Sequence, residues 1–216
     1  MAKGVRVRRK PVEAGAARRV RYHHGNLRQA LIGAALGILA THDVAALTLR
    51  EAARRAGVSQ AAPYRHFADK EALLAAVAEE GFAALAAAMR VAAAPEAGDR
   101  VAGLRVLGVT YVRFAVEHPA RFRLMFGGAL ADRAAYPPLE KAAQETFGLL
   151  AQGVEAGQRA GLIRSGDARQ LAMAAWSLVH GLAALLVDRQ LTLGEATLDA
   201  FCAGVLQSLY LGLRHE

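Results

Sequence analysis

Between positions 47 and 74 runs LTLREAARRAGVSQAAPYRHFADKEALL, a stretch dense in side chains that can read or hold a nucleic acid. Gln60 has the amide geometry for a bidentate contact to adenine, and Ala61 and Ala62 are small enough to meet thymine methyl groups. Tyr64, Arg65 and His66 can reach phosphates or base edges. Lys70, at the positive end of a helix opened by Asp69, suits a phosphate. Arg50 is placed for a backbone phosphate or a guanine. Thr48 and Ser59 carry hydroxyls that can cap a helix, and Thr48 can also donate to a phosphate.

Such contacts require elements that hold one face toward a groove, and the spacing supplies them. Thr48 caps a short helix in which Leu49, Ala52, Ala53 and Ala56 form an inward stripe, with Arg50, Glu51, Arg54 and Arg55 on the other side. Gly57 falls where the turn needs a left-handed residue. Ser59 then opens a second helix expected over 59–67, anchored by Phe67. Asp69 caps a long helix reaching about 91. Upstream, Asn26 caps a helix running to about 41 through Leu27, Leu31, Ala34, Ala35, Ile38 and Leu39. This is a helix-turn-helix whose second helix can enter a major groove. Pro63 falls at the end of that helix's first turn, where a missing N–H costs little. It disfavours the helical region for Ala62, so the helix start is expected to be distorted.

The charge agrees with a phosphate partner. The net charge is +8, and residues 1–22 alone hold eight cations against the single carboxylate of Glu13. Beyond position 70 the balance turns slightly negative. A basic arm beside a helix-turn-helix is an electrostatic footprint for double-stranded DNA, and the arm is expected to be disordered without it.

Composition bounds the rest. The chain has 216 residues, 54% of them hydrophobic and only 6% aromatic, with abundant alanine and few β-branched clusters. That combination predicts an all-α protein. One cysteine, Cys202, excludes an internal disulfide framework and suits a reducing, cytoplasmic setting. The N-terminus lacks the apolar region of a signal peptide. The apolar run 171–187 falls short of a membrane span and carries His180 at its centre, so a buried helix is the expectation and a membrane partner is not. No Ser-His-Asp spacing, phosphate-cradling glycine loop or metal-ligand cluster appears, and His23-His24 lacks further ligands. An enzyme, a cofactor and a metal are therefore not expected.

After a linker at 92–98 with Pro95, helices are expected at 99–117, after Pro119, and over 138–159, 167–189 and 195–214. Aromatic and sulfur-bearing residues concentrate here: Tyr111, Phe114, Met125, Phe126 and, one helical turn apart on a shared face, Trp176 and His180. With Arg123 and His180 as polar groups in apolar surroundings, these seven are candidates to bind a small ligand. The same spacing suits plain core packing. Leu171, Leu178, Leu182 and Leu185, then Leu198, Phe201, Val205 and Leu209, make the last two helices apolar on more than one face. That pattern predicts a homodimer through a four-helix bundle.

The run Thr48…Ala52…Gly57-Val58-Ser59…Tyr64-Arg65-His66-Phe67…Lys70-Glu71…Leu73-Leu74 resembles the N-terminal domain of TetR/AcrR-type regulators. The His118-Pro119…Phe122…Met125-Phe126 stretch and Trp176…His180-Gly181 resemble the WHG-type C-terminal domain of that family. The resemblance implies a homodimeric, all-helical repressor released from a palindromic operator by a small ligand, with DNA contacts at Gln60, Ala61, Tyr64, His66 and Lys70. It also implies a division into an arm (1–22), a helix-turn-helix domain (23–70) and a ligand-binding and dimerisation domain (71–216). An activator, a ligand-independent regulator and a helical small-molecule-binding protein are the alternative readings.

Overall fold

The computed structural model describes residues 27–94, 98, 100–193 and 197–213. The basic arm, the Asn26 cap, Pro95 and the expected helix boundaries at Asp99, Glu195 and Arg214 lie outside the described residues. Among the described residues there are eight α-helices and no strand. They are α1 (Leu27–Leu39), α2 (Leu49–Arg55), α3 (Lys70–Ala93), α4 (Arg100–Glu117), α5 (Pro119–Phe126), α6 (Pro137–Arg159), α7 (Ala168–Val187) and α8 (Leu198–Leu213).

Local rules set most of their ends. The Thr48 hydroxyl accepts the Glu51 N–H at 3.0 Å, and Asp69 accepts the Ala72 N–H at 2.8 Å. Asp167 takes two N–H groups, from Arg169 and Gln170, at the start of α7. Pro119 and Pro137 occupy first-turn positions, where a missing donor is harmless. Gly57 ends the α2 turn at φ 70°, the left-handed geometry expected of it.

The axis of the molecule is α3. Its near half packs with α1 and Phe67 through Leu73, Leu74 and Val77, and its far half contributes Phe82, Leu85 and Met89 to a core shared with α4, α5, α7 and α8. One continuous apolar core thus extends from Leu31 to Leu206. A second cluster of Val154, Ile163, Leu171 and Ala172 closes the far end of α6 and α7. By length and composition α3 and α7 are each apolar enough to cross a membrane. At 20 residues α7 is longer than the expected apolar run, and 33% of its apolar window is buried inside the protein against 61% for α3. At Gly81, α3 approaches α5 so closely that a Cβ would stand 2.6 Å from Met125 Sδ.

The segment 59–67 departs from expectation, because it forms turns and a 3-10 helix at Pro63–Arg65 in place of an α-helix. The cause is the missing proline donor. With no N–H at Pro63, the Ser59 carbonyl is taken by Ala62 N at 3.0 Å, and the next bonds, Arg65 to Ala62 and His66 to Pro63, keep the tighter i, i+3 spacing. Ala62 itself stays in the helical region at φ −61°, ψ −41°, so the steric restriction before proline is not what breaks the helix. Ser59 consequently caps no α-helix.

Candidate functional site

The first candidate site is the surface built on α2 and the 3-10 segment. Three residues per turn point in three directions. Pro63 turns inward and is buried, whereas Tyr64 (55% exposed) and Arg65 face solvent. Phe67, 3% exposed, locks the end of the segment into the core beneath. Gln60, Ala61, Ser59 and His66 are also exposed, and Ala62 is half-buried. Thr48 and Arg50 are exposed at the start of α2. Lys70 is placed differently from expectation: its Nζ donates to the Val44 carbonyl at 2.6 Å, pinning the loop before α2 to the first turn of α3. One of its donors is thus spent within the protein.

Glu51 organises the outer face of α2. Its carboxylate accepts Arg54 Nε at 2.8 Å and Nη2 at 2.7 Å, and Arg55 Nε at 3.3 Å. The Arg54 hydrogen bonds hold its carboxyl well below the usual range, at about 2. Arg50 and Arg65 have no carboxylate partner among the described residues, so their charge is available to an anion.

The second candidate site is an open cavity of about 580 Å³ lined by residues of α3 to α8. Its volume falls in the range of small-molecule sites. Tyr111, Phe126 and Trp176 line it, together with Phe82, Leu104 and Phe147. The other sequence candidates lie elsewhere. Phe114 is buried edge-on to His118 at 4.9 Å, away from the cavity. Met125 is buried against Gly81. Arg123 sits at the surface, ion-paired to Asp188 at 3.0 Å and donating to the Val187 carbonyl at 2.8 Å. His180 stands behind Tyr111 instead of on the wall.

A polar relay crosses that wall. Trp176 Nε1–H donates to the Tyr111 hydroxyl at 3.3 Å, which leaves the Tyr111 proton free for His180 Nδ1, 2.8 Å away. His180 is otherwise ringed by Phe122, Phe126 and Trp176, with centroids at 5.3, 4.8 and 5.1 Å. Burial pushes the Tyr111 hydroxyl up, against the lesser opposing pull of the Trp176 hydrogen bond, and pushes the His180 imidazole down. Both groups are therefore neutral at pH 7. Removing the hydroxyl leaves the Trp176 donor and the His180 acceptor unmatched. Tyr111→Phe is expected to lower stability by about 1–3 kcal/mol, read as a lower urea midpoint at unchanged slope. An unchanged midpoint would show the relay to be energetically idle.

The same burial predicts a pH dependence. The unfolded chain protonates His180 near its ordinary value of 6.5, whereas the folded chain does so only at lower pH. The unfolded state thus binds more protons in that window, and stability is lost as pH falls below about 6.5. Urea titrations between neutral and mildly acid pH should show a smaller loss for His180→Gln than for the parent chain. Parallel curves would contradict this.

Sequence reasoning missed the contribution of α6. Ala143, Phe147, Leu150, Ala151 and Val154 recur at helical spacing and all line the cavity. Cys202 is fully buried, and its thiol is pushed up by burial first and by Asp199 second, which suits an inert core residue.

The chain is similar to known proteins over both of its parts. Residues 31–77 match the family described as bacterial regulatory proteins, tetR family, and residues 104–209 match the tetracyclin repressor-like C-terminal domain. The HTH-type transcriptional regulator BetI of Rhizobium meliloti (strain 1021) is 31% identical over 159 residues, spanning 72% of this chain and 75% of BetI. A protein of unknown function from Rhodococcus sp. RHA1 has a similar structure at TM-score 0.80 and 36% identity, covering 91% of this chain and 100% of that one. The fatty acid degradation regulator FadR from Bacillus halodurans shares the fold at TM-score 0.72 and 20% identity, over 88% of this chain and 97% of its own.

Proposed function

The chain belongs to the TetR family of bacterial transcriptional regulators, and from that premise we propose that it is a cytoplasmic, homodimeric repressor released from a palindromic operator by a small ligand. The operator face is the surface of α2 and the 3-10 segment. Arg50, Arg65 and Tyr64 contact phosphates or base edges, and Gln60, Ala61, Ala62 and His66 lie along the groove. Thr48 and Ser59 add hydroxyl contacts, and Lys70 holds the loop and offers its remaining donors. The basic arm adds phosphate contacts. The functional division falls at the start of α3, with the ligand and the partner subunit both taken by residues 71–216. The two copies meet through the outer faces of α7 and α8, whose two-fold axis matches the operator's.

One observation carries the release mechanism: α3 is common to both sites. Its first residue, Lys70, holds the loop before α2, and Phe82 and Met89, further along it, line the cavity. A ligand that fits only when Phe82 and Phe126 separate shifts α3 and with it the α2 surface. It thereby favours the state that cannot bind DNA, as any effector of this kind must.

A transcriptional reporter behind the chain's own upstream region tests this reading. Expression of the chain should lower reporter output, and Arg50→Ala with Arg65→Ala should restore it. Raised output would identify an activator, and unchanged output would remove the regulatory role at this promoter.

A further inference from the structure

Four aromatic rings form a chain along the cavity wall: Phe82 to Phe126 at 5.2 Å, Phe126 to Trp176 at 6.1 Å, and Trp176 to Phe147 at 6.3 Å. An arginine stacks on each end. The Arg133 guanidinium lies 5.3 Å from the Phe82 centroid, and that of Arg169 lies 5.4 Å from the Phe147 centroid. Both line the cavity, as does Arg105. Among the described residues, none of the three has a carboxylate within 4.0 Å, unlike Arg28, Arg54, Arg113 and Arg123, which are ion-paired. One carboxylate, Glu140, shares the wall, and its Oε1 is taken by Gln144 at 2.9 Å. Asp167 spends its Oδ1 on the backbone N–H groups of Arg169 and Gln170.

An apolar wall ending in unneutralised guanidinium groups disfavours a cation. A neutral hydrocarbon leaves Arg169 and Arg105, exposed where the cavity opens, without a counter-ion. From this we infer that the effector is an amphipathic organic anion, with a hydrocarbon or aromatic body on the ring chain and a carboxylate received by Arg169. Arg169 is favoured over Arg133 because the latter already donates to the Met125 carbonyl at 2.8 Å and shares its part of the wall with Glu140. The planar guanidinium matches a carboxylate with two parallel hydrogen bonds. This inference rests on the cavity being the effector site.

The sequence holds one tryptophan, Trp176, which lines the cavity and reports occupancy by its fluorescence. Decanoate and decan-1-ol, equal in chain length and different in charge, are titrated into the full chain. Decanoate should bind at least about tenfold more tightly, the ratio expected of a hydrogen bond to a charged group. Arg169→Gln should remove that preference, lowering decanoate affinity to that of decan-1-ol while decan-1-ol still binds and the chain still folds. Equal affinities in the parent chain, or a preference that survives Arg169→Gln, overturn the anionic ligand alone. Gly148 lines the cavity with open space where its Cβ would stand, so Gly148→Phe should plug it and abolish both responses. Absence of any fluorescence response in the parent chain, or an undiminished response in Gly148→Phe, overturns the effector-site reading and this inference together.

Discussion

Phe67→Ala is expected to cost about 3–5 kcal/mol of stability and to abolish operator binding even where the chain remains folded. Phe67 is 3% exposed and packs in the core shared by α1 and the near half of α3. It also ends the 3-10 segment, its N–H bonding to the Pro63 carbonyl at 3.0 Å. Without the ring, the segment carrying Tyr64 and Arg65 loses its anchor and its fixed relation to α2. Tyr64→Ala is the matched control, because Tyr64 is 55% exposed. That variant should keep its urea midpoint and lose only DNA affinity. If Phe67→Ala kept both stability and affinity, the 3-10 segment would not be the anchored reading surface described above.

Replacing Leu178 and Leu185 together by Glu is expected to convert a dimer to monomers and to weaken operator binding by about a hundredfold or more, as linkage of two half-sites is lost. The helical pattern of α7 leaves two apolar faces, and the fold sorts them. Leu171 and Leu182 are buried within the subunit, whereas Met173, Leu178 and Leu185 remain 42%, 36% and 44% exposed. Gly181 lies exposed between the last two, with open space at its Cβ position, and Gly204 presents the same on α8. Small residues between leucines let a facing helix come close, and exposed apolar patches of this kind mark association surfaces. Across a two-fold axis, the four introduced carboxylates would place like charges in an apolar seam. Sedimentation velocity reads the outcome. A double variant that stays dimeric with parental affinity would move the interface elsewhere.

What the sequence made legible follows the range of each interaction. The Thr48 and Asp69 caps and the left-handed Gly57 are set within three or four residues, and each takes the geometry that its residue type dictates. The 59–67 segment is harder to read from sequence because two effects of proline compete. The steric one points at Ala62 and proves tolerable, whereas the absent N–H at Pro63 decides the hydrogen-bond spacing. Lys70 was legible as a cation at a helix start, but its Val44 carbonyl partner is 26 residues distant. In the C-terminal part, helical periodicity shows which residues share a face but not which face meets the cavity. Tyr111 and Trp176 line it, while Met125 and Phe114 fill core positions beside it. The arginines at the ends of the aromatic chain were hidden for a related reason: Arg133 and Phe82, or Arg169 and Phe147, are paired only by tertiary packing.

Fluorescence anisotropy of the full chain on a labelled duplex from its own upstream region, against a scrambled duplex of equal length and composition, tests the central claim most directly. A regulator with the surface described here should prefer the upstream duplex by about a thousandfold or more. Its affinity for both duplexes should fall linearly on logarithmic axes as salt rises. Arg50→Ala and Arg65→Ala should each flatten that slope by about one. Equal affinity for the two duplexes across the salt series would contradict sequence-specific DNA binding and the account built upon it.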